Sequence, residues 1–298
     1  MSKERVLDEM ARRDVDVLLL GREGNARYVS GASRLFLAGE RAFAPGCVVV
    51  GESSSVHVLS VTDFGIPAAV PRDNLYPISW NPAATVDRIA AIPGVATANR
   101  VGVDGLTPLF EALLASFIPA AELVDGEAVL REARRIKSAD ELDSIRAAAA
   151  VAGAVMTAAL DAIGTGAVDH MVKAVAMEAM ASRGVTTPAF EPLMDRDHEH
   201  GRVTVAVGVL REGWEADLTR TVPGPARPDA LTAAIDRCRS GAAVAELGAG
   251  VHGIGLGYEV LPPSAVLEPG MVLSVGADGA GDTVLMTEGV PEVLTATG

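Results

Sequence analysis

Residues 208–221 read GVLREGWEADLTRT, and this stretch decides the fold. Apolar and polar positions alternate on both sides of a turn at 210–213, so residues 202–209 and 214–221 form the two strands of a β-hairpin. Downstream, residues 252–256 (HGIGL), 268–275 (EPGMVLSV) and 282–287 (DTVLMT) continue as strand and turn, after a helix over 229–246. Upstream, Ser138 and Glu141 make a capping box that satisfies free N–H groups at a helix start. Leu142, Ile145, Ala149, Ala152, Met156, Leu160 and Ile163 then recur at three- and four-residue steps on one face, until Gly164 stops the helix. A second helix is expected over 168–183. The second half of the chain is therefore α+β.

The first half alternates helices and strands. Val6, Leu7 and Met10 give a short amphipathic helix, residues 15–20 (VDVLLL) a buried strand, and residues 47–50 and 56–60 two more strands. A Pro-containing loop over 71–82, with Trp80, leads to a helix near 83–92, a strand at 100–104, a helix from Pro108 and a strand near 122–125. An α/β N-terminal domain over residues 1–130 and an α+β C-terminal domain over 131–298 follow, since 298 residues suffice for two cores of ordinary size.

Together, residues 208–221, 252–256, 268–275 and 282–287 resemble the motif set of the pita-bread superfamily, which includes methionine aminopeptidase, aminopeptidase P, prolidase and creatinase. Residues 25–31 (NARYVSG) resemble the N-I-x-Y-L-T-G segment of creatinase and prolidase N-terminal domains. Residues 131–146 (REARRIKSADELDSIR) resemble the R-x-x-K-S-x-x-E-I-x-x-I-R segment that opens the pita-bread domain of prolidase-like proteins. The resemblance implies a creatinase-like N-terminal domain, a pita-bread C-terminal domain and a homodimer. Only 30 residues separate Thr221 from His252, where prolidase-like relatives place two long helices. A trimmed pita-bread domain with an altered wall around the site is expected.

Composition narrows the partners. The chain is 49% hydrophobic and 21% charged, and no run of eighteen or more apolar residues suggests a membrane span. Its first fourteen residues carry charges throughout and lack the apolar core of a signal peptide, so a cytoplasmic location is expected. A net charge of −14 repels phosphate backbones and excludes nucleic acid as the expected partner. Cys47 and Cys238 show no ligand-like spacing and are expected to be buried thiols.

The resemblance also locates a site. Metallo-members hold two ions with two aspartates, one histidine and two glutamates. Asp217 and His252 stand at two of those positions. Counting back eleven residues from Asp217 gives Ala206 for the other aspartate, and the glutamates fall on Gly276 and Gly281. Losing three anionic ligands removes the charge that a pair of hard divalent ions needs, so neither metal nor other cofactor is expected. Asp278, Asp282 or Glu259 could serve as replacement ligands, with nitrogen from His198 or His200 in residues 195–200 (DRDHEH). The candidate catalytic residues are His252, Asp217, Glu259, His198 and His200. An imidazole beside a carboxylate is oriented and has its pKa raised, which suits proton exchange near neutrality. His198 and His200 also suit a solvated loop, and nothing in the sequence chooses between them. Period-two alternation puts Tyr258 and Glu259 on opposite faces, so one of them faces the cavity, and Glu259 is expected there. Arg220 is read as a structural partner of Asp217 or of a carbonyl, and His57 and His170 as structural.

Three functions remain open. The first is a metal-independent enzyme acting on a small molecule by His/carboxylate acid–base chemistry, through C–N or amide-type hydrolysis or a related lyase or isomerase step. The second is a non-catalytic pita-bread binding protein, and the third a residual Xaa-Pro peptidase-like metallohydrolase.

Overall fold

The computed structural model describes residues 2–32, 46–60, 62–77, 81–105, 107–248 and 250–295; Trp80 lies outside them. The chain divides into two compact units, Met1–Arg134 and Arg135–Gly298.

In the first unit the described elements run α1 (Ser2–Arg12), β1 (Val17–Leu20), α2 (Glu23–Ser30), β2 (Cys47–Val50), β3 (Ser55–Leu59), β4 (Leu75–Tyr76), α3 (Pro82–Ala90), β5 (Arg100–Val103), α4 (Pro108–Phe117), β6 (Glu122–Asp125) and α5 (Gly126–Arg135). The strands form one sheet in the order β4-β3-β2-β1-β5-β6. β1 lies inside it, antiparallel to β2 and parallel to β5, which is why all four of its residues, VLLL, are buried. α3 and α4 start on local chemistry, with Asn81 and Thr107 accepting backbone N–H groups and a proline in the first turn of each. Their apolar faces, through Val86, Ile89, Phe110 and Leu114, pack on Val17, Leu19 and Val48. The segment over 25–31 proves to be mostly helix, α2, closed by Gly31 at φ +70°.

The second unit contains α6 (Ala139–Gly164), α7 (Asp169–Ala181), β7 (Pro188–Asp197), β8 (Arg202–Arg211), β9 (Trp214–Val222), α8 (Asp229–Arg237), β10 (Val251–Gly255), β11 (Gly257–Glu259), β12 (Val272–Ala277), β13 (Ala280–Leu285) and β14 (Glu292–Val293). Its sheet runs β11-β10-β12-β13-β9-β8-β7, with β14 against β13. The capping box is made in full, Ser138 Oγ accepting from Glu141 N at 3.4 Å and Glu141 Oε2 accepting from Ser138 N at 2.8 Å. By length and composition α6 could cross a membrane. Here Ala148, Ala149, Ala152, Val155 and Met156 pack on Val205, Val207, Val209, Ala216 and Leu218 of the hairpin, making it a core helix. α8 lays Leu231 and Ile235 on Leu273, Val275 and Val284.

Two elements of the second unit depart from the sequence reading, and in the first unit α5 and β4 were not expected, β4 lying within the loop read over 71–82. The helix expected over 229–246 stops at Arg237, and Gly241 at φ +88° turns the chain beyond it, leaving one nine-residue helix and a single 3-10 turn in this segment. Residues 188–197, expected in part as a solvated loop, form β7, a long edge strand.

The register places the site. Gly208 pairs with Asp217, Thr219 with Gly281, and His252 with Ser274, which pairs with Thr283. Antiparallel counting from Thr219/Gly281 sets Thr283 beside Asp217, so Asp217, Thr283, Ser274 and His252 form one row across four strands. The neighbouring row is Ala206, Thr219, Gly281 and Gly276. β9 and β13 share this single ladder pair, and the Thr283 hydroxyl bridges them beyond it, 3.0 Å from Asp217 N and 2.9 Å from Asp217 O.

Candidate active site

Asp217 and His252 meet. Asp217 Oδ2 accepts from Ser274 Oγ at 2.8 Å, and Oδ1 lies 3.2 Å from Thr283 Oγ1. Two hydroxyls from neighbouring strands thus fix a buried carboxylate. His252 Nε2 lies 4.0 Å from Asp217 Oδ2, one small shift or one bridging water from a hydrogen bond. Burial lowers the imidazole pKa, with the Asp217 charge acting the other way, so the shift is opposite to that expected from the carboxylate alone. Burial likewise raises the Asp217 pKa, against the hydroxyls and His252. Desolvation wins at both groups because each sits in a wall of packed strands.

The strand after His252 reverses one expectation. Tyr258 shares the His252 face, and its ring stacks on the imidazole at 4.6 Å between centroids and 24° between planes. Glu259 turns away from His252 and accepts from Lys137 Nζ at 2.7 Å, both side chains almost wholly buried. The close approach of the Glu259 carboxyl explains Gly255, where a Cβ would meet Glu259 Oε1 at 2.3 Å. Glu259 is therefore part of a buried ion pair.

His198 and His200 are not brought to the site. Both are exposed in the turn joining β7 and β8, where Asp197 organises the bend by accepting the N–H groups of Glu199 and His200 and the His200 Nδ1 at 2.7 Å. Gly208, opposite Asp217, lies six positions along β8 from that end, Arg202, roughly 20 Å along the strand. Asp278 is an exposed turn residue at φ +51° beside Gly279 at φ +68°, the Asp-Gly pair of a tight hairpin. Asp282 is locked by Arg220 and Arg227, and of the two partners expected for Arg220 it is the carbonyl that the structure shows, Nη1 donating to Thr219 O and Gly281 O.

One residue escaped the sequence reading. Glu215, two positions before Asp217 and 4% exposed, has its pKa raised to about 7 by burial and then by the charges of Asp217 and Glu259. Its signal is tertiary. In the folded chain Glu215 keeps its proton to about pH 7, against an ordinary 4.5. The stability that this proton uptake contributes is fully present below the ordinary value and lost as pH rises through 7, about 3 kcal/mol in all. Glu215→Gln should match the parent near the acid end of that window and exceed it by about 3 kcal/mol at about pH 8 in urea unfolding. Parallel pH profiles would show that Glu215 is already ionised when folded.

Residues 3–136 match the creatinase/prolidase N-terminal domain family. The chain is 24% identical to the Xaa-Pro dipeptidase of Pyrococcus horikoshii, over 99% of its own length and 96% of the relative's. Among solved structures it is similar to the prolidase from Pyrococcus furiosus, with TM-score 0.78 and 21% identity over 99% of each chain. It is also similar to the X-Pro aminopeptidase from Thermotoga maritima, with TM-score 0.75 and 14% identity over 98% of each.

The chain has the pita-bread fold. The alignment to the Pyrococcus horikoshii relative spans 362 positions against 298 residues here, so the pita-bread scaffold is retained with segments missing. The residues present do not fit a dinuclear metal centre. Of the pita-bread ligand positions only Asp217 and His252 carry donors, and no group of three or more His, Cys, Asp or Glu among the described residues is placed to hold an ion. The glycines at the other positions are not forced by packing. A Cβ at Gly276 or Gly281 would meet its nearest neighbours at 3.6 and 3.4 Å, ordinary contact, whereas one at Gly208 would strike Phe190 at 2.4 Å.

Proposed function

We propose that this pita-bread chain hydrolyses a C–N bond of a small amide or peptide, using Asp217 and His252 as its acid–base pair and no dinuclear metal. The observation that carries the reading is the row in which two hydroxyls hold a carboxylate and that carboxylate faces an imidazole. With the Nε2 proton turned to Asp217, the free lone pair lies on Nδ1. That nitrogen takes a proton from water as the C–O bond forms and returns it to the leaving nitrogen as the C–N bond breaks. The lowered His252 pKa keeps the imidazole in the neutral form this step requires. Support for the hydrolase class comes from the names of the relatives, an Xaa-Pro dipeptidase and an X-Pro aminopeptidase.

Those names also favour a second reading, a metal-dependent Xaa-Pro dipeptidase. Elemental analysis after incubation with manganese, cobalt or zinc, followed by assay of Xaa-Pro dipeptides and simple amides with and without chelator, separates the two. The proposal expects no stoichiometric metal and turnover that chelator leaves unchanged; chelator-sensitive dipeptide cleavage would install the second reading. His252→Ala should reduce turnover by roughly 10²-fold or more with the fold retained, and a fully active variant would remove His252 from the chemistry. Absence of any turnover, with a protein partner retained, would instead fit a non-catalytic binding protein.

A further inference from the structure

Two side chains act on different parts of the half-buried His252 ring. At its edge Asp217 Oδ2 lies 4.0 Å from Nε2, beyond hydrogen-bond length. Over one face lies the ring of Tyr258, stacked at 4.6 Å between centroids and 24° between planes. The terminal torsion of a histidine is broad, so a carboxylate at that distance leaves the ring plane free to swing. The stacked ring restrains that rotation. Tyr258 thus sets the plane, and Asp217 selects the nitrogen within it.

Tyr258 is 64% exposed and owes its position to its backbone rather than to burial. β11 pairs with β10 through Gly253/Glu259, Ile254/Tyr258 and Gly255/Gly257. Tyr258 therefore stands diagonally across from His252, within reach of an aromatic side chain. Gly257 at φ +82° makes the tight return before it. Glu259, directly after it, is pinned by the buried ion pair with Lys137 at 2.7 Å. A ring so exposed contributes little to the core, and the contact it makes is with the imidazole.

We infer that Tyr258 is a positioning residue of this site, its ring holding the His252 imidazole in the plane that turns Nε2 to Asp217 and leaves Nδ1 free. The contact runs through the ring faces, so the phenol hydroxyl is dispensable. The effect on turnover rests on the hydrolysis proposed above, whereas the orientation of the ring does not, and the two have separate readouts.

Nuclear magnetic resonance of the full chain with labelled histidine tests the orientation, at about pH 8, where an imidazole is neutral. The His252 signals are identified by their loss in His252→Ala. In the parent the His252 ring protons should carry the upfield shift produced by an aromatic face, and the two ring nitrogens should report one tautomer. Tyr258→Phe should keep both signatures. Tyr258→Leu and Tyr258→Thr should lose the upfield shift and move the nitrogens towards the tautomer mixture of a free imidazole. Both replace an exposed residue, and if circular dichroism shows one unfolded, the other decides. With the best substrate of the amide and dipeptide panel above, kcat should fall about three- to tenfold in these two variants, the worth of one aromatic pair. KM should not change, because the ring holds the base and not the substrate, and phenylalanine should restore kcat. His252 signals that match the parent's in a folded leucine or threonine variant would overturn the inference. So would an active parent whose kcat those variants leave unchanged, a loss confined to KM, or a phenylalanine variant as impaired as the leucine one. A parent that shows the signatures without turnover would remove the hydrolysis reading and leave the orientation of His252 by Tyr258 supported.

Discussion

Lys137→Met should destabilise the chain by about 3–5 kcal/mol, because it removes the cation from a fully desolvated carboxylate. Lys137 Nζ donates to Glu259 Oε2 at 2.7 Å, with side chains 1% and 4% exposed. It also donates to the carbonyl of Arg135 at 3.3 Å. The ammonium therefore ties the start of the second unit to β11, the strand that carries Tyr258 against His252. Replacing both partners tests whether the cost lies in burying the carboxylate charge without the ammonium. Lys137→Met with Glu259→Gln should recover most of the loss, since a neutral amide is far cheaper to bury than a carboxylate. Urea unfolding of the two single variants and the double variant gives the coupling energy. A cost below about 1 kcal/mol for Lys137→Met would place this pair with surface ion pairs in energetic terms.

Lys137 also shows where sequence reasoning stops. The capping box at Ser138 and Glu141, one residue further on, was legible because both partners lie within one helical turn. The hairpin of β8 and β9 was legible for the same reason, its alternation being local. Lys137 and Glu215 both act with Glu259, distant in sequence from each, and no spacing reports that. For Tyr258 and Glu259 the alternation was right and the face was wrong. β11 has only three residues, and its pairing across Gly257 at φ +82° sets which side chain meets His252. β7 was missed because PAFEPLMDRD breaks alternation with two prolines and four charges. Such residues suit an edge strand, and the register of β7 against β8 shifts twice. The helix over 229–246 was overextended because its apolar residues continue past Cys238, while Gly241 ends the geometry. Asp217 and His252 were legible only through the motif resemblance; what they touch, Ser274 and Thr283, came from the register.

That register supports the second large effect. Ala206→Asp, Gly276→Glu and Gly281→Glu together should convert a chain expected to hold no stoichiometric metal into one that holds one or two manganese, cobalt or zinc ions. Ala206, Gly281 and Gly276 occupy one row beside the row of Asp217 and His252, so the three new carboxylates would arise next to the two surviving donors. The backbone admits them, since neither Gly276 nor Gly281 has a positive φ and a Cβ at each finds ordinary contact. Gly276 and Gly281 pair directly, and like charges at directly opposed strand positions repel. The metal-free triple variant should therefore be less stable than the parent, and added metal should raise its melting temperature in proportion to the logarithm of free metal over Kd. Asp217→Asn in the triple background should weaken that response, because it withdraws a carboxylate from the shared site. A control with alanine at 276 and 281 separates room from charge, and should fold as the parent does without gaining metal. A folded triple variant that binds no more metal than the parent would show that more than three side chains divides this site from a dinuclear one. The trimmed segment between β9 and β10, reduced here to α8 and one short turn, would then be the next element to restore.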